Sequence, residues 1–544
     1  MEFSIDYGYT IAGLATFLAV YLILRRGSAI RDIPGPPSPS WIFGHMLQLE
    51  LPPQYGDYEF SWQKKFGPVY RLRRCFGQNC LMVSDPIALQ YILKSVHFDH
   101  SPVIANLINM LNVLMRVIRL GEVHRRIRGA MNPGFTATAV GSWLPSFRRA
   151  AQRITERLED SSPLPIDVCP ILSTATLSAV SDAVLGCSLE DLGEDVIANN
   201  CQLMALTASQ TATQILFTAL GSIFPAWLFQ AATYLPTATF KVVREATYLS
   251  NRIGQKVVME KLEAWSSTMM YTPSSVRVFV LNVERSDKSS RKALTCDELA
   301  AQTALFLIAG QDTTANTLAF GLLELGRNCA LQDQLRSEIH STVTLGVGDS
   351  NVAYDAMPLL NAFIKEILRV YPAECFSDRV AVQDTVIPLA ESIVTAGGEH
   401  ITAVPIRKGQ ILTIAIASYH RLEPQTAFIA PGLITKELLD WSLGGAWMHM
   451  NLSPPVGLME HPTKEKLSGP MRICHLTFLS GPHTCLGWRF AYSSFYTPVF
   501  ICELVGKFSF SLPEDQAIRT SFANTLMPTV STARKGAPLY VTRI

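Results

Sequence analysis

The 544-residue chain predicts a mainly α (α+β) fold: one large helical domain with small β-sheets, preceded by an N-terminal transmembrane helix. Three observations predict it. From residue 146 to about 262, apolar residues recur mostly at helical spacing, as in Ala150, Ile154 and Leu158. Thr295-Cys296-Asp297-Glu298 is a capping box that opens a long apolar helix reaching about Arg327. Strand signals are short: Val69-Tyr70-Arg71-Leu72 and Cys80-Leu81-Met82-Val83 read as a pair around Gly77.

The elements follow in order. Residues 7–24 form an apolar run of roughly bilayer length. Glu2 and Asp6 precede it, and Arg25, Arg26 and Arg31 follow, so the positive-inside rule leaves residues 1–6 lumenal and the bulk of the chain cytosolic. A cleaved signal peptide is the alternative, but its positive charges belong before the run, not after it. Residues 25–40 are a basic, proline-rich hinge containing Ile33-Pro34-Gly35-Pro36-Pro37-Ser38-Pro39, a semi-rigid linker. From residue 41 to 544 there is no repeat, low-complexity tract or second linker, which reads as one catalytic domain. Hydrophobic residues make up 48% of the chain, enough for a large core, and the net charge of +1 excludes nucleic acid as the main partner. The 11 cysteines show no zinc spacing, and their odd number argues against a disulfide framework.

Asp85-Pro86 opens a helix through Leu93. The long helix carries Ala309-Gly310-Gln311-Asp312-Thr313-Thr314. Glycine and paired threonines cost helicity, which makes sense if the helix bends or opens there; a polar turn on a solvated face is the plainer reading. Further on, Glu366 and Arg369 share a face of a helix ended by Tyr371-Pro372, a pairing common on solvated surfaces. Cys485 lies in Phe478-Leu479-Ser480-Gly481-Pro482-His483-Thr484-Cys485-Leu486-Gly487, just before a helix start at Trp488. A helix N-terminus biases a thiol toward thiolate. A single thiolate can be an axial ligand of haem iron, and the flanking glycines would let the backbone approach a flat macrocycle.

Taken together, these motifs resemble the cytochrome P-450 haem-thiolate monooxygenases of the membrane-anchored, microsomal type. His124-Arg125-Arg126-Ile127-Arg128 followed by Asn132-Pro133-Gly134-Phe135 looks like fungal members. The resemblance implies the P-450 fold, haem b with Cys485 as the iron ligand, and Phe478 and Gly481 at the cofactor. It implies that Asp312 and Thr313 relay protons to dioxygen, and that Glu366 and Arg369 tie their helix to the cysteine loop. His124, Arg128, Arg379 and His483 become candidates to hold the haem propionates; the alternative for each is surface charge. His483 stands where the family usually has Arg, which weakens a fixed charge. The implied reaction inserts one oxygen atom of O₂ into a lipophilic small molecule. Electrons come from NADPH through a partner reductase, with cytochrome b5 as a further donor, at the endoplasmic reticulum membrane. Residues 103–117, 203–229 and 304–309 are expected to line the pocket. They specify only a hydrophobic substrate; a terpenoid in fungal secondary metabolism is the expectation, with fatty acids and xenobiotics as alternatives.

One segment departs from the family. Residues 424–474 are rich in Trp, Met and Gly and lack the usual Phe-x-Pro-x-Arg-Trp stretch, whose Arg completes a triad with Glu366 and Arg369. One permitted codon string for residues 449–460, read from its third base, encodes His-Glu-Phe-Lys-Pro-Ser-Arg-Trp-Leu-Asp-Gly. A frame or splicing error fits this, and with it a second reading of the chain as a catalytically inactive haem binder or mis-spliced product.

Overall fold

The structure is a computed structural model that describes residues 29–101, 121–159, 164–221, 231, 233–267, 294–344, 354–422, 476–492, 496–530 and 534–544. The predicted lumenal segment, membrane run and start of the hinge, the predicted pocket segment 103–117 and the atypical segment 424–474 lie outside the described residues.

The described helices include α1 (Pro86–Lys94), α2 (Glu122–Met131), α3 (Leu144–Glu159), α4 (Val168–Val180), α5 (Ala238–Ser267), α6 (Cys296–Arg327), α7 (Pro358–Val370) and α8 (Thr497–Lys507). Local chemistry sets several of their starts. Asp85 Oδ1 accepts from Ala88 N at 2.8 Å and opens α1. The predicted capping box opens α6: Thr295 Oγ1 accepts from Glu298 N (3.1 Å), and Glu298 Oε2 accepts from Thr295 N (3.0 Å). Arg126 then pairs with the same Glu298 carboxylate, joining α2 to the start of α6. On α3 the expected spacing puts Phe147, Ala150, Ile154 and Leu158 in the core. The stretch Val168–Leu185 is long and apolar enough to cross a membrane, but 72% of it is buried among the other helices, as a core helix would be.

The strands are β1 (Val69–Arg73), β2 (Asn79–Val83), β3 (Phe98–His100), β4 (Ile166–Asp167), β5 (Phe376–Ala381), β6 (Thr385–Val394), β7 (His400–Ile406), β8 (Ile411–Ala415), β9 (Phe508–Ser511), β10 (Ile518–Ala523), β11 (Thr525–Val530), β12 (Arg534–Lys535) and β13 (Pro538–Arg543). The predicted pair is β1 and β2, antiparallel with Val69 opposite Val83. They head a five-stranded sheet ordered β1-β2-β8-β5-β3, in which β2 and β8 run parallel. Smaller sheets are β6-β7, β10-β11-β12 and β4-β13-β9. One apolar core gathers α3, α4, α6, α7 and α8 around residues such as Phe147, Leu318, Ile364 and Phe500. A second packs α1 on the five-stranded sheet through Leu81, Leu89, Leu412 and Ile414.

The opening expected in the long helix is not seen: α6 runs unbroken through Gly310. A Cβ on Gly310 would lie 2.7 Å from Val180 Cγ2, so the glycine serves a close crossing of α4 and α6. The threonines are accommodated within the helix. Thr313 Oγ1 donates to the Ala309 carbonyl (2.7 Å) and Thr317 Oγ1 to the Thr313 carbonyl (2.9 Å).

Candidate functional site

The cysteine loop is built by backbone conformation and anchored from three sides. Cys485 N donates to the Phe478 carbonyl at 2.9 Å, closing the loop. Leu479 (φ 54°) and Gly481 (φ 74°) take left-handed conformations within it. A Cβ on Gly481 would lie 2.1 Å from the Leu93 carbonyl oxygen, so the loop sits directly on the last turn of α1. Gly481→Ala is therefore expected to cost about 1–3 kcal/mol for the backbone alone, with the clash in addition. Thermal denaturation would measure the loss.

The second anchor is α7. Thr477 Oγ1 donates to the Leu368 carbonyl at 2.9 Å. Arg369 is 3% exposed and grips Glu366 through two bonds, Nε to Oε2 (3.0 Å) and Nη2 to Oε1 (2.6 Å). The commonplace surface reading of this pair therefore fails for its arginine. The third anchor is His420, fully buried and absent from the sequence-derived set. Its carbonyl accepts from Arg369 Nη1 (2.8 Å), its Nδ1 bonds the Arg369 carbonyl (2.9 Å), and its Nε2 accepts from Leu476 N (2.9 Å). Leu476 leads into the cysteine loop, so helix, histidine and loop form one hydrogen-bonded unit.

Above this unit lies a cavity of about 470 Å³, within the usual size range of small-molecule sites. Its wall includes Cys485, Phe478 and His483 from the loop and Gly310, Thr313, Thr314 and Thr317 from α6, with Leu305, Phe306 and Ala309 nearby on the same helix. His124 and Arg128 contribute from α2, and Val180 from α4. Burial pushes the Cys485 thiol up, while the Gly487 N–H and the Arg128 charge act against it. The predicted helix is short, Trp488–Tyr492. A positive centre beside the sulfur would favour its thiolate form.

Basic groups collect at one part of this wall. The rings of His483 and His100 lie 4.6 Å apart and those of His483 and His124 4.7 Å apart. His483 Nδ1 is 3.3 Å from His100 Nε2, and Arg379 Nη1 reaches His100 Nδ1 at 3.4 Å. Burial with these cationic neighbours drives His483 down to about 4 and His100 to about 2. Both imidazoles are therefore neutral near pH 7, leaving Arg128 and Arg379 as fixed charges. Among the described residues, Arg379 Nη2 and His483 Nε2 are buried without a hydrogen-bond partner. Orphaned donors beside two guanidinium groups, around a cavity that also exposes one thiol, fit a large ligand carrying carboxylates, as haem does.

The structure brings Cys485, Phe478, Thr313, His124, Arg128 and His483 to one cavity and puts Arg379 beside His100, which lines it. Gly481 shapes the loop from behind. Asp312 is placed differently. Its Oδ2 pairs with Lys535 Nζ of β12 at 3.1 Å, and its Oδ1 accepts from Ser173 Oγ at 3.2 Å. Ser173 accepts in turn from Gln311 Nε2 (2.9 Å), whose Oε1 receives Asn200 Nδ2 (2.5 Å). Asp312 thus belongs to a polar string between α6 and α4, while its neighbour Thr313 faces the cavity. Of the expected pocket segments, Ala309 and its neighbours Leu305 and Phe306 line the cavity, but the described part of 203–229 does not; Leu203 packs with Met204 and Ala246 instead. Sequence reasoning also missed His100 and Glu374 on the cavity wall. Neither stands in a motif that could have flagged it.

A family model described as Cytochrome P-450 matches residues 34–421. Among curated proteins, the chain is 28% identical over 548 residues to cytochrome P-450 monooxygenase 219 of Postia placenta, covering 95% of each chain. It is 27% identical to monooxygenase 81 of the same fungus, over 97% of this chain and 96% of the other. Cytochrome P-450 monooxygenase claO of Ampulloclitocybe clavipes is 26% identical, with 90% and 89% covered.

Proposed function

Because this chain belongs to the cytochrome P-450 family, we propose that it oxidises a lipophilic small molecule in fungal secondary metabolism, with a terpenoid-type skeleton as the substrate. Members of the family are oxygen-incorporating oxidoreductases that carry haem on a cysteine thiolate and take electrons from NAD(P)H through a reductase partner. The observation that supports the reading is the shared cavity wall, which holds one thiol in a braced loop, the Thr313 hydroxyl and a set of buried basic groups.

In this reading Cys485 is the iron ligand. Arg128 and Arg379, with His124 and His483, hold the propionates. When bound, haem supplies dioxygen activation and the C–H oxidation. Arg369 and His420 keep the cysteine loop at fixed height. The Thr313 oxygen, whose proton rests on the Ala309 carbonyl, keeps its lone pairs for a water or hydroxyl in the cavity. Asp312, held between Lys535 and Ser173, is the carboxylate that links Thr313 to solvent in this reading. Thr313→Ala is then expected to lower product formation by about 10²-fold, the smaller end of what a positioned proton-transfer group contributes. NADPH consumption would continue, with hydrogen peroxide as its product, and the comparison of the two rates checks it.

The proposal extends to the chain's setting. Residues 7–24 anchor it in the endoplasmic reticulum membrane with residues 41–544 as one cytosolic domain, a reductase is the electron donor and cytochrome b5 an additional one. The pattern of charges around the apolar run supports this. The deciding measurement for the whole reading is the reduced carbon-monoxide difference spectrum of the full chain: a band typical of thiolate-ligated haem is expected, and its absence sinks the reading. A second reading, an inactive or mis-spliced product, has its own support, since the family model stops at residue 421, just before the atypical segment. Transcript sequencing across the codons for 424–474 separates the two.

A further inference from the structure

Glu374 has no part in the reactions above, yet it lines the same cavity as Cys485 and Thr313. It lies in the short connection between α7 and β5, two residues after Pro372. Among the described lining residues it is the one carboxylate. Elsewhere the wall is apolar, as at Val180, Val184, Leu305 and Phe306, neutral and polar, as at Gln302, Thr313 and Asn524, or basic at the His483 cluster.

Its surroundings define what it can do. Ser377 Oγ accepts from Arg379 Nη1 at 2.8 Å and hydrogen-bonds the Glu374 carboxyl. The same Arg379 nitrogen also donates to the Asp378 carbonyl at 2.9 Å. Burial raises the Glu374 carboxyl, partly offset by the Arg379 charge and the Ser377 bond. The Glu374 charge also acts on Cys485, which puts it within electrostatic reach of the thiol. A carboxylate has about four acceptor positions. Ser377 occupies one, and a partly buried carboxyl is costly unless the others are used.

We propose that Glu374 is a specificity-determining residue whose carboxyl receives a hydrogen bond from an O–H or N–H group of the substrate. The inference rests on the P-450 reading, in that the substrate is taken to share this cavity with haem, whose carboxylates would take up the basic groups. It narrows that substrate to an apolar skeleton bearing at least one hydrogen-bond donor. A free carboxylate on the same skeleton is excluded by like charge. A wall built to bond a donor group rejects the analogue lacking it far more strongly than an apolar wall discriminates by size. Glu374 therefore sets which end of the molecule stays fixed and which is presented for oxidation.

The test uses three probes of one rigid skeleton: adamantane, 1-adamantanol and adamantane-1-carboxylate. Their binding to the full-length holoprotein is measured by equilibrium dialysis for the wild type, Glu374→Ala and Glu374→Gln. The wild type should bind the alcohol about ten- to a hundredfold more tightly than the hydrocarbon, the range of one hydrogen bond to a charged group, and should exclude the carboxylate. Glu374→Ala should bring alcohol and hydrocarbon to near parity. Glu374→Gln, close in shape and still an acceptor, should keep part of the alcohol preference while admitting the carboxylate. An equal preference for the alcohol in wild type and Glu374→Ala, or none in the wild type, overturns the proposal. Should Glu374→Ala not fold, carboxylate binding by Glu374→Gln decides alone: admission supports the proposal and continued exclusion overturns it. None of these readouts uses turnover. Failure of the P-450 reading itself would appear separately, as a missing carbon-monoxide band.

Discussion

Arg369→Ala is expected to destabilise the folded chain by about 3 kcal/mol, the low end for removing one partner from a buried ion pair, because the Glu366 side chain keeps 28% exposure, and to strip it of haem. The guanidinium is 3% exposed and makes three bonds, two to Glu366 and one to the His420 carbonyl. Burial alone would lower its pKa; the Glu366 charge and hydrogen bonds more than compensate, and the net shift is upward. Truncation removes the two bonds to the Glu366 carboxylate and the one to the buried His420 carbonyl. The His420 contact to Leu476 then loses its fixed base, and with it the approach to the cysteine loop. Arg369→Lys should recover only part of the loss, because an ammonium cannot reproduce the fork. Urea denaturation and the haem-to-protein ratio check both parts. A loss under about 1 kcal/mol, the net value of an ordinary hydrogen bond, would remove Arg369 from its proposed role.

Cys485→Ser should have the larger effect on activity and the smaller one on stability. The Cys485 side chain faces the cavity, and its bond from the Gly487 N–H can be accepted equally by a serine hydroxyl. The loop itself is closed by backbone, Cys485 N to the Phe478 carbonyl, and survives the change. Stability is expected to move by less than about 1 kcal/mol, as for other changes that leave packing and buried bonds intact. The thiolate-type carbon-monoxide band should vanish, and oxidation should fall to background, well beyond the about 10²-fold expected of Thr313→Ala. The two variants therefore separate the brace from the ligand: one melts early, the other folds without its chemistry.

What the sequence made legible was local. The capping box of α6 has both partners within four residues, and the cysteine loop carries its glycines and thiol in one stretch. The helix bearing Glu366 and Arg369 was legible too, but not the burial of the arginine, which depends on His420 and Leu476 from later segments. Gly310 was misread for the same reason. In isolation a mid-helix glycine implies weakness, whereas here it answers Val180 on another helix. The protonation of His483 could not be read either, since His100 and His124 converge on it from β3 and α2. Asp312 gave no sign that its counterion would arrive near the end of the chain. Glu374 looks, in sequence, like any acidic residue shortly after a proline.

The placement of Lys535 has a consequence for biosynthesis. α6 leaves the ribosome long before β12 and β13 are made, yet among the described residues Asp312 gains its counterion only from Lys535. β4 likewise stays unpaired until Pro538 and Leu539 arrive. A nascent chain can assemble most of its helices during synthesis, but this region closes only once residues 534–539 have followed. Stop codons placed just before Lys535 should then behave as loss-of-function alleles cleared by proteolysis, although they remove nothing from the described cavity wall.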